Sequence, residues 1–232
     1  MVKYGFQYNG RTAESYGIYV ESRPDIPGKK RKISYKEISG NMEMLTEKAY
    51  KYENREIAVK CSFKEPEEQW NRKRRQMESW LSGEGELIFS DDAEVFWKVK
   101  EVQISKFERK LRKYGTFEIK FACSPFEYMV DGKIKETVLD KIDNPYDMAQ
   151  PIYYLRGEGL CTLTVNGNSM EANVSRSLII DTERMLTYKE DKTLQNTAIT
   201  GEYEDLYLKP GRNRISVSPG FALQIKPNWR CL

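Results

Sequence analysis

Catalytic chemistry has few starting points in this chain. It contains no histidine, so the commonest general base is missing, as are Ser–His and Cys–His nucleophile pairs. Two carboxylates can cleave a glycosidic bond without histidine, and Asp91–Asp92 is the obvious acidic pair. Adjacent residues on a strand point to opposite faces, and "SDDAE" reads as a turn. Cys61, Cys123, Cys161 and Cys231 are scattered, with no CxxC pair. A zinc site here would need four thiolates or carboxylates. Cys61 and Cys123 fall on the apolar face of strand patterns, so the thiols are expected to be reduced, buried and inert. We assign no catalytic residue, no metal ligand and no cofactor, and expect a protein that is not an enzyme.

Two basic runs remain as candidate binding features. "RPDIPGKKRK" puts Lys29, Lys30, Arg31 and Lys32 behind two prolines, and "RKRR" covers 72–75. Net charge is only +3 over 232 residues. The basic excess lies before residue 135, and the remainder is slightly acidic. A dedicated nucleic-acid binder carries a stronger field. Neither run is interleaved with the aromatics that stack on bases. Four consecutive residues wrap round a helix, so 72–75 reads mostly as a solvated or intersubunit face.

The elements that must position these residues are mainly strands. "REIAVKCSF" places Ile57, Val59, Cys61 and Phe63 on one face, and "GTFEIKFAC" does the same with Phe117, Ile119, Phe121 and Cys123. Such alternation marks half-buried antiparallel strands. "EPEEQWNRKRRQMESWLSGEG" is the one clear helix. Pro66 suits its first turn, Trp70, Met77 and Leu81 share a face, and Gly83 stops it. "YGFQYNG" and "YGIYVES" suggest an opening hairpin turning at Asn9–Gly10. Residues 31–53 are strand-like but polar, which suggests a hairpin arm that packs on something else.

Alternation stops over 137–154, where Pro145 and Pro151 bracket a connection that reads as a linker. Beyond it, "GLCTLTVNGNSMEANV" turns at Asn166–Gly167, and further short strands follow, a pattern for a small β-sandwich. The expected organisation is an N-terminal domain over 1–135, a linker over 136–151 and a C-terminal sandwich over 152–232. Hydrophobic residues make up 39% and charged residues 31%, a globular balance. No apolar stretch approaches the ~20 residues of a membrane helix. "MVKYGFQYNG" has no apolar signal-peptide core, so synthesis in a cytoplasm and no membrane contact are expected.

Taken in order, "YGIYVESRPDIPGKKRK", "ISGNMEML", "REIAVKCSF", "WLSGEGELIFSDDAEVFWKVK", "YGTFEIKFACSPFEY", "NPYDMAQPIYYLRGEGLCTLTVNG", "LIIDTERMLTYKE", "LKPGRNRISVS" and "IKPNWRCL" resemble the distal tail (Dit) proteins of long-tailed phages and prophages of Gram-positive bacteria. The likeness runs nearly the whole chain. The turn that usually reads GRDG is here Gly40-Asn41-Met42, and the usual linker NPG is Asn144-Pro145-Tyr146. The resemblance implies a mainly β fold with one α-helix: a β-sandwich-like, ring-forming first domain with helix and hairpin arm, and a galectin-like second sandwich. It implies a hexameric ring at the virion tail tip, assembled in the host cytoplasm. It implies contacts with the tail tube, the tape measure, a tail-associated lysin or hub and receptor-binding proteins, and only transient passage of DNA. The arm would carry the intersubunit contacts, with Lys29, Lys30, Arg31, Lys32, Tyr35, Gly40, Met42 and Met44 as its candidate residues.

A carbohydrate-binding adsorption module is the alternative reading, acting through the C-terminal sandwich. Its stacking platforms would come from Tyr153, Tyr154, Tyr188, Tyr203, Tyr207 and Trp229. Aromatics on short strands are more often core or cross-strand pairs.

Overall fold

The computed structural model describes residues 4–36 and 45–232, with the backbone alone for 33–36, 45–50 and 109–111. The chain divides into two compact units, Met1–Glu127 with Leu232, and Tyr128–Cys231.

The first unit contains β1 (Phe6–Tyr8), β2 (Arg11–Thr12), β3 (Ile18–Val20), β4 (Arg31–Lys36), β5 (Leu45–Tyr52), β6 (Arg55–Lys64), α1 (Trp70–Trp80), β7 (Gly85–Phe89), β8 (Asp92–Ile104), β9 (Glu108–Leu111) and β10 (Tyr114–Met129). The main sheet runs β2-β1-β7-β8-β10-β6-β3, with β9 on β10. Its β10–β6 pair is the one that alternation predicts. Phe117 lies opposite Cys61, Ile119 opposite Val59 and Phe121 opposite Ile57. All six are buried, because antiparallel pairing puts directly opposed side chains on the same face.

The opening hairpin differs from expectation. Asn9 and Gly10 both have positive φ, 49° and 78°, as a two-residue turn requires. The returning strand is only β2, however. A 3₁₀ turn over Ala13–Tyr16 then ends at Gly17 in the left-handed region. β3 therefore crosses to the far edge of the sheet and pairs with β6, Ile18 opposite Phe63.

Helix α1 lies on the apolar face through Trp70, Met77 and Trp80, with Leu81 buried just past its end. Trp80 stacks on Tyr16 at 4.3 Å and donates its indole N–H to the Tyr8 carbonyl at 3.2 Å. Trp70 meets Phe63 edge-on at 5.0 Å and donates to the Glu65 carbonyl at 3.0 Å. Each buried aromatic of this kind contributes about 2–3 kcal/mol of transfer free energy. The paired indole N–H groups avoid the penalty of burying a donor alone.

The second unit contains β11 (Glu136–Thr137), β12 (Lys141–Asn144), β13 (Ile152–Val165), β14 (Asn168–Asp181), β15 (Leu186–Tyr188), β16 (Ile199–Thr200), β17 (Gly211–Val217), β18 (Ala222–Lys226) and β19 (Arg230–Cys231). β13 and β14 form a long hairpin through Asn166–Gly167, both at positive φ. Opposite β14, β13 pairs with β18 over Ile152–Arg156 and with β17 over Leu163–Val165. This change of partner along one strand curls the sheet around its core.

The stretch 136–151, expected as a linker, contains β11 paired with β18 and β12 paired with β17. Asn144 is buried and donates to the carbonyls of Asp147 and Leu208. The prolines that suggest a loose connection instead frame a hydrogen-bonded turn within the second unit.

Candidate functional site

The loop Arg23–Lys30 leaves β3, carries no strand and leads into β4. Pro24 and Pro27 withhold backbone donors there, so the loop cannot join a central sheet. Arg23 anchors its start, 3.7 Å from the Asp91 carboxylate and over the Tyr4 ring at 5.3 Å. Pro24 and Ile26 line a cleft of about 330 Å³ with Tyr4, Phe89, Val95 and Trp97. Burial, reinforced by the Asp91 charge, pushes the Tyr4 hydroxyl up to about 12, so it is a neutral wall of this cleft.

β4 and β5 form a two-stranded sheet of their own. Tyr35 pairs with Thr46 and Lys36 with Leu45, and the register shifts between Arg31 and Ile33. The base of this arm is closed by the Glu53 amide donating to the Lys30 carbonyl at 2.9 Å. Arg31 donates to the Tyr52 hydroxyl at 3.2 Å with its guanidinium over that ring, and Tyr52 meets Phe126 edge-on at 6.0 Å.

Behind the base, Arg55 is buried. Its guanidinium lies over Trp97 at 5.2 Å and reaches Glu127 at 3.4 Å. Its Nε makes no hydrogen bond. A buried guanidinium with one carboxylate fixes the strand that leaves the arm, because it has no equally good second position. No sequence pattern singled Arg55 out; its only signal is a cation at an inward-facing position of the β6 alternation.

The structure gathers Lys29, Lys30, Arg31 and Lys32 at the start of the arm, all exposed. Tyr35 is placed by its backbone in β4. Gly40, Met42 and Met44 lie outside the described residues.

The second basic run is divided. Lys73 pairs with Glu65 at 2.9 Å and Arg74 with Glu78 at 2.7 Å, while Arg72 and Arg75, with Lys73 beside them, line a cleft. Asp91 and Asp92 are placed differently. Ser90 and Asp91 make the turn, Asp92 begins β8, and Asp91 is held by Arg23.

Cys61, Cys123 and Cys161 are buried, Cys231 is half-buried, and none of them is in a disulfide among the described residues. Burial pushes the Cys61 and Cys123 thiols up to about 12, far from the thiolate that reacts. Among the described residues, no group of three or more Cys, Asp or Glu is placed to hold a metal ion, and no helix is long and apolar enough to cross a membrane.

The aromatics proposed for sugar stacking are largely engaged. Tyr153 is fully buried and donates to the Leu206 carbonyl at 2.6 Å, and Trp229 is buried. Tyr203 hydrogen-bonds Thr187, Tyr207 accepts from Gln150, and the Lys135 ammonium covers the Tyr154 ring at 3.6 Å. Tyr188 is half-buried. A cleft of about 820 Å³ in this unit is lined by Asp140, Asn166, Arg212 and Arg214 and has no aromatic wall.

Residues 23–123 match the family model of the phage tail protein RIFT-related domain. The match begins at the loop before the arm and runs through the arm and helix into β10. A comparison with curated proteins finds no match. Among solved structures, the chain is similar to the Dit (gp 19.1) protein of phage SPP1, described as a paradigm of the hub adsorption apparatus in phages infecting Gram-positive bacteria. That similarity has a TM-score of 0.68 at 11% identity and covers 100% of both chains. Residues 23–123 thus resemble the phage tail RIFT-related domain, and the chain as a whole shares the fold of the Dit protein of phage SPP1.

Proposed function

We propose that this chain is a structural subunit of the tail tip of a long-tailed phage or prophage, where six copies close into a ring. One ring face meets the tail tube and tape measure. The other meets the tail-associated lysin or hub and, through it, the adsorption apparatus. The observation that carries this reading is the agreement in fold over the full length of a distal tail protein, together with a phage-tail domain that spans the arm.

The arm supports it physically. A closed ring needs a head-to-tail interface in which two different patches meet. β4–β5 is a hairpin apart from both other sheets, and spare strand edges can add to a neighbour's sheet. Lys29, Lys30, Arg31, Lys32, Tyr35, Gly40, Met42 and Met44 are the residues we assign to that contact. DNA passes through the lumen only in transit. A near-balanced charge suits this, since every neutralised phosphate adds affinity.

Co-expression with the tail-tube, tape-measure and hub proteins of the same phage tests the reading. It predicts a complex that survives size-exclusion chromatography. If the chain elutes alone from every combination, the reading fails.

A further inference from the structure

The cleft between α1 and the Ala13–Tyr16 turn is about 600 Å³ and gathers charge of one sign. Arg72, Arg75, Gln76 and Ser79 recur at three- and four-residue spacing, so they share one helix face. Arg11 approaches from β2, held by its hydrogen bond to the Tyr16 hydroxyl at 2.7 Å. The stacked Tyr16–Trp80 pair forms the cleft wall between them. Lys73 also lines the cleft but is neutralised by Glu65, and Arg74 of the same run is neutralised by Glu78. Arg72 and Arg75 have no such partner among the described residues, and no carboxylate lines the cleft. Three guanidiniums beside serine hydroxyls and an amide make a site for carboxylate or phosphate oxygens, which this fork geometry grips in pairs.

The surroundings favour carboxylates. Glu14 adjoins Ser15, and Glu68 lies in the 3₁₀ turn that leads into the helix just before Arg72. A continuous phosphate backbone leaving the cleft would meet these acids, whereas one or two side chains would not. The chain itself carries a complementary feature. The turn between β7 and β8 is fixed by reciprocal hydrogen bonds between Ser90 and Gly5. Just past it, at the start of β8, Asp92 and Glu94 are both exposed and without an ion-pair partner among the described residues. This turn follows Phe89, opposite Phe6, while the cleft lies toward Tyr8, opposite Leu87 and Arg11. The two patches sit toward opposite ends of β1 and do not pair within one chain.

We propose that this cleft receives the carboxylates of Asp92 and Glu94 from a second copy of the chain, as a charge-matched contact of the head-to-tail interface. The inference rests on the ring reading above and adds to it a second interface besides the arm.

The test uses two full-length variants, Arg72→Glu/Arg75→Glu and Asp92→Arg/Glu94→Arg, with far-UV circular dichroism confirming that each folds. Like charges across an interface are strongly unfavourable, so each variant alone should need about tenfold or more higher concentration to assemble, read by sedimentation. Mixed one to one, each cleft meets a turn of opposite charge, and mixed oligomers should form at wild-type concentration. Should either variant not fold, Arg72→Gln/Arg75→Gln and Asp92→Asn/Glu94→Gln replace the pair, and raised salt should then weaken the wild type but not the variants. Assembly of a variant alone at wild-type concentration overturns the proposal, as does a mixture that fails to recover. Loss of retention on short duplex DNA with assembly intact would make the cleft a phosphate site and also overturns it. A wild type that assembles neither alone nor with its hub protein overturns the ring reading itself.

Discussion

Arg55 holds the exit of the arm by a balance that single substitutions can expose. With 7% of its side chain exposed against 33% for Glu127, the cation depends on its partner more than the carboxylate does. Glu127→Ala should destabilise the first unit by about 3 kcal/mol by stranding a buried charge. Arg55→Met keeps the stem on Trp97 and frees a carboxylate that can rehydrate, so it should cost less than about 1 kcal/mol. Urea unfolding followed by tryptophan fluorescence checks the order, since Trp70, Trp80 and Trp97 all lie in that unit; equal losses would contradict it. The buried thiols give a pH dependence with a definite sign. Cys61 and Cys123 start near 9.0 and are raised to about 12 in the fold. Between those values the folded state holds protons that the unfolded state has lost. Stability should therefore fall as pH rises through that window, by about 1.4 kcal/mol per unit for each thiol. A first unit whose stability is flat from pH 9 to pH 11 would refute this. The inward placing of these thiols was legible in the sequence, because their strands alternate cleanly. Arg55 was not, because a cation at an inward position reads as an edge of the pattern until Glu127 and Trp97 are seen beside it.

At the scale of elements, the close approach of β10 to α1 explains one glycine. A Cβ on Gly115 would overlap the Phe63 ring and press on Trp70. Gly115→Ala should therefore cost about 2 kcal/mol by overpacking, measured as a lowered urea midpoint with unchanged slope; a neutral result would show that Phe63 moves freely. The arm behaves differently, because its base closes on itself at Lys30 and Glu53. Replacing 31–52 by a short Gly-Ser turn should leave the β-sheet circular dichroism signal and the thermal transition of the remaining chain close to wild type, while removing assembly. A deletion that unfolds the unit would show the arm to be part of its core. Helix, central strands and the Asn166–Gly167 hairpin were all readable from period and turn residues. The path of β3 was not. Asn9–Gly10 announces a hairpin equally well whether the returning strand has two residues or six, and only the 3₁₀ turn with its left-handed Gly17 decides.

For the whole molecule, the order of short strand and turn signatures carried more information than any one motif, since each alone fits many β proteins. The resemblance to distal tail proteins seen in that order agrees with the phage-tail family match over 23–123 and the full-length similarity of fold. The stretch 136–151 was harder to read, because polar residues and prolines mark both a free linker and strands that pair at the margin of a sheet. The division of the second basic run was also hidden. Sequence gives the four cations of 72–75, but only the fold shows that Glu65 and Glu78 take two of them and leave Arg72 and Arg75 beside Arg11. We propose that copies of this chain close into a six-membered ring. Native mass spectrometry of the full-length protein, alone and with its hub protein, tests it most directly. A closed ring gives a dominant species of six times the 27.2 kDa chain; a single 27.2 kDa chain in both samples would rule it out.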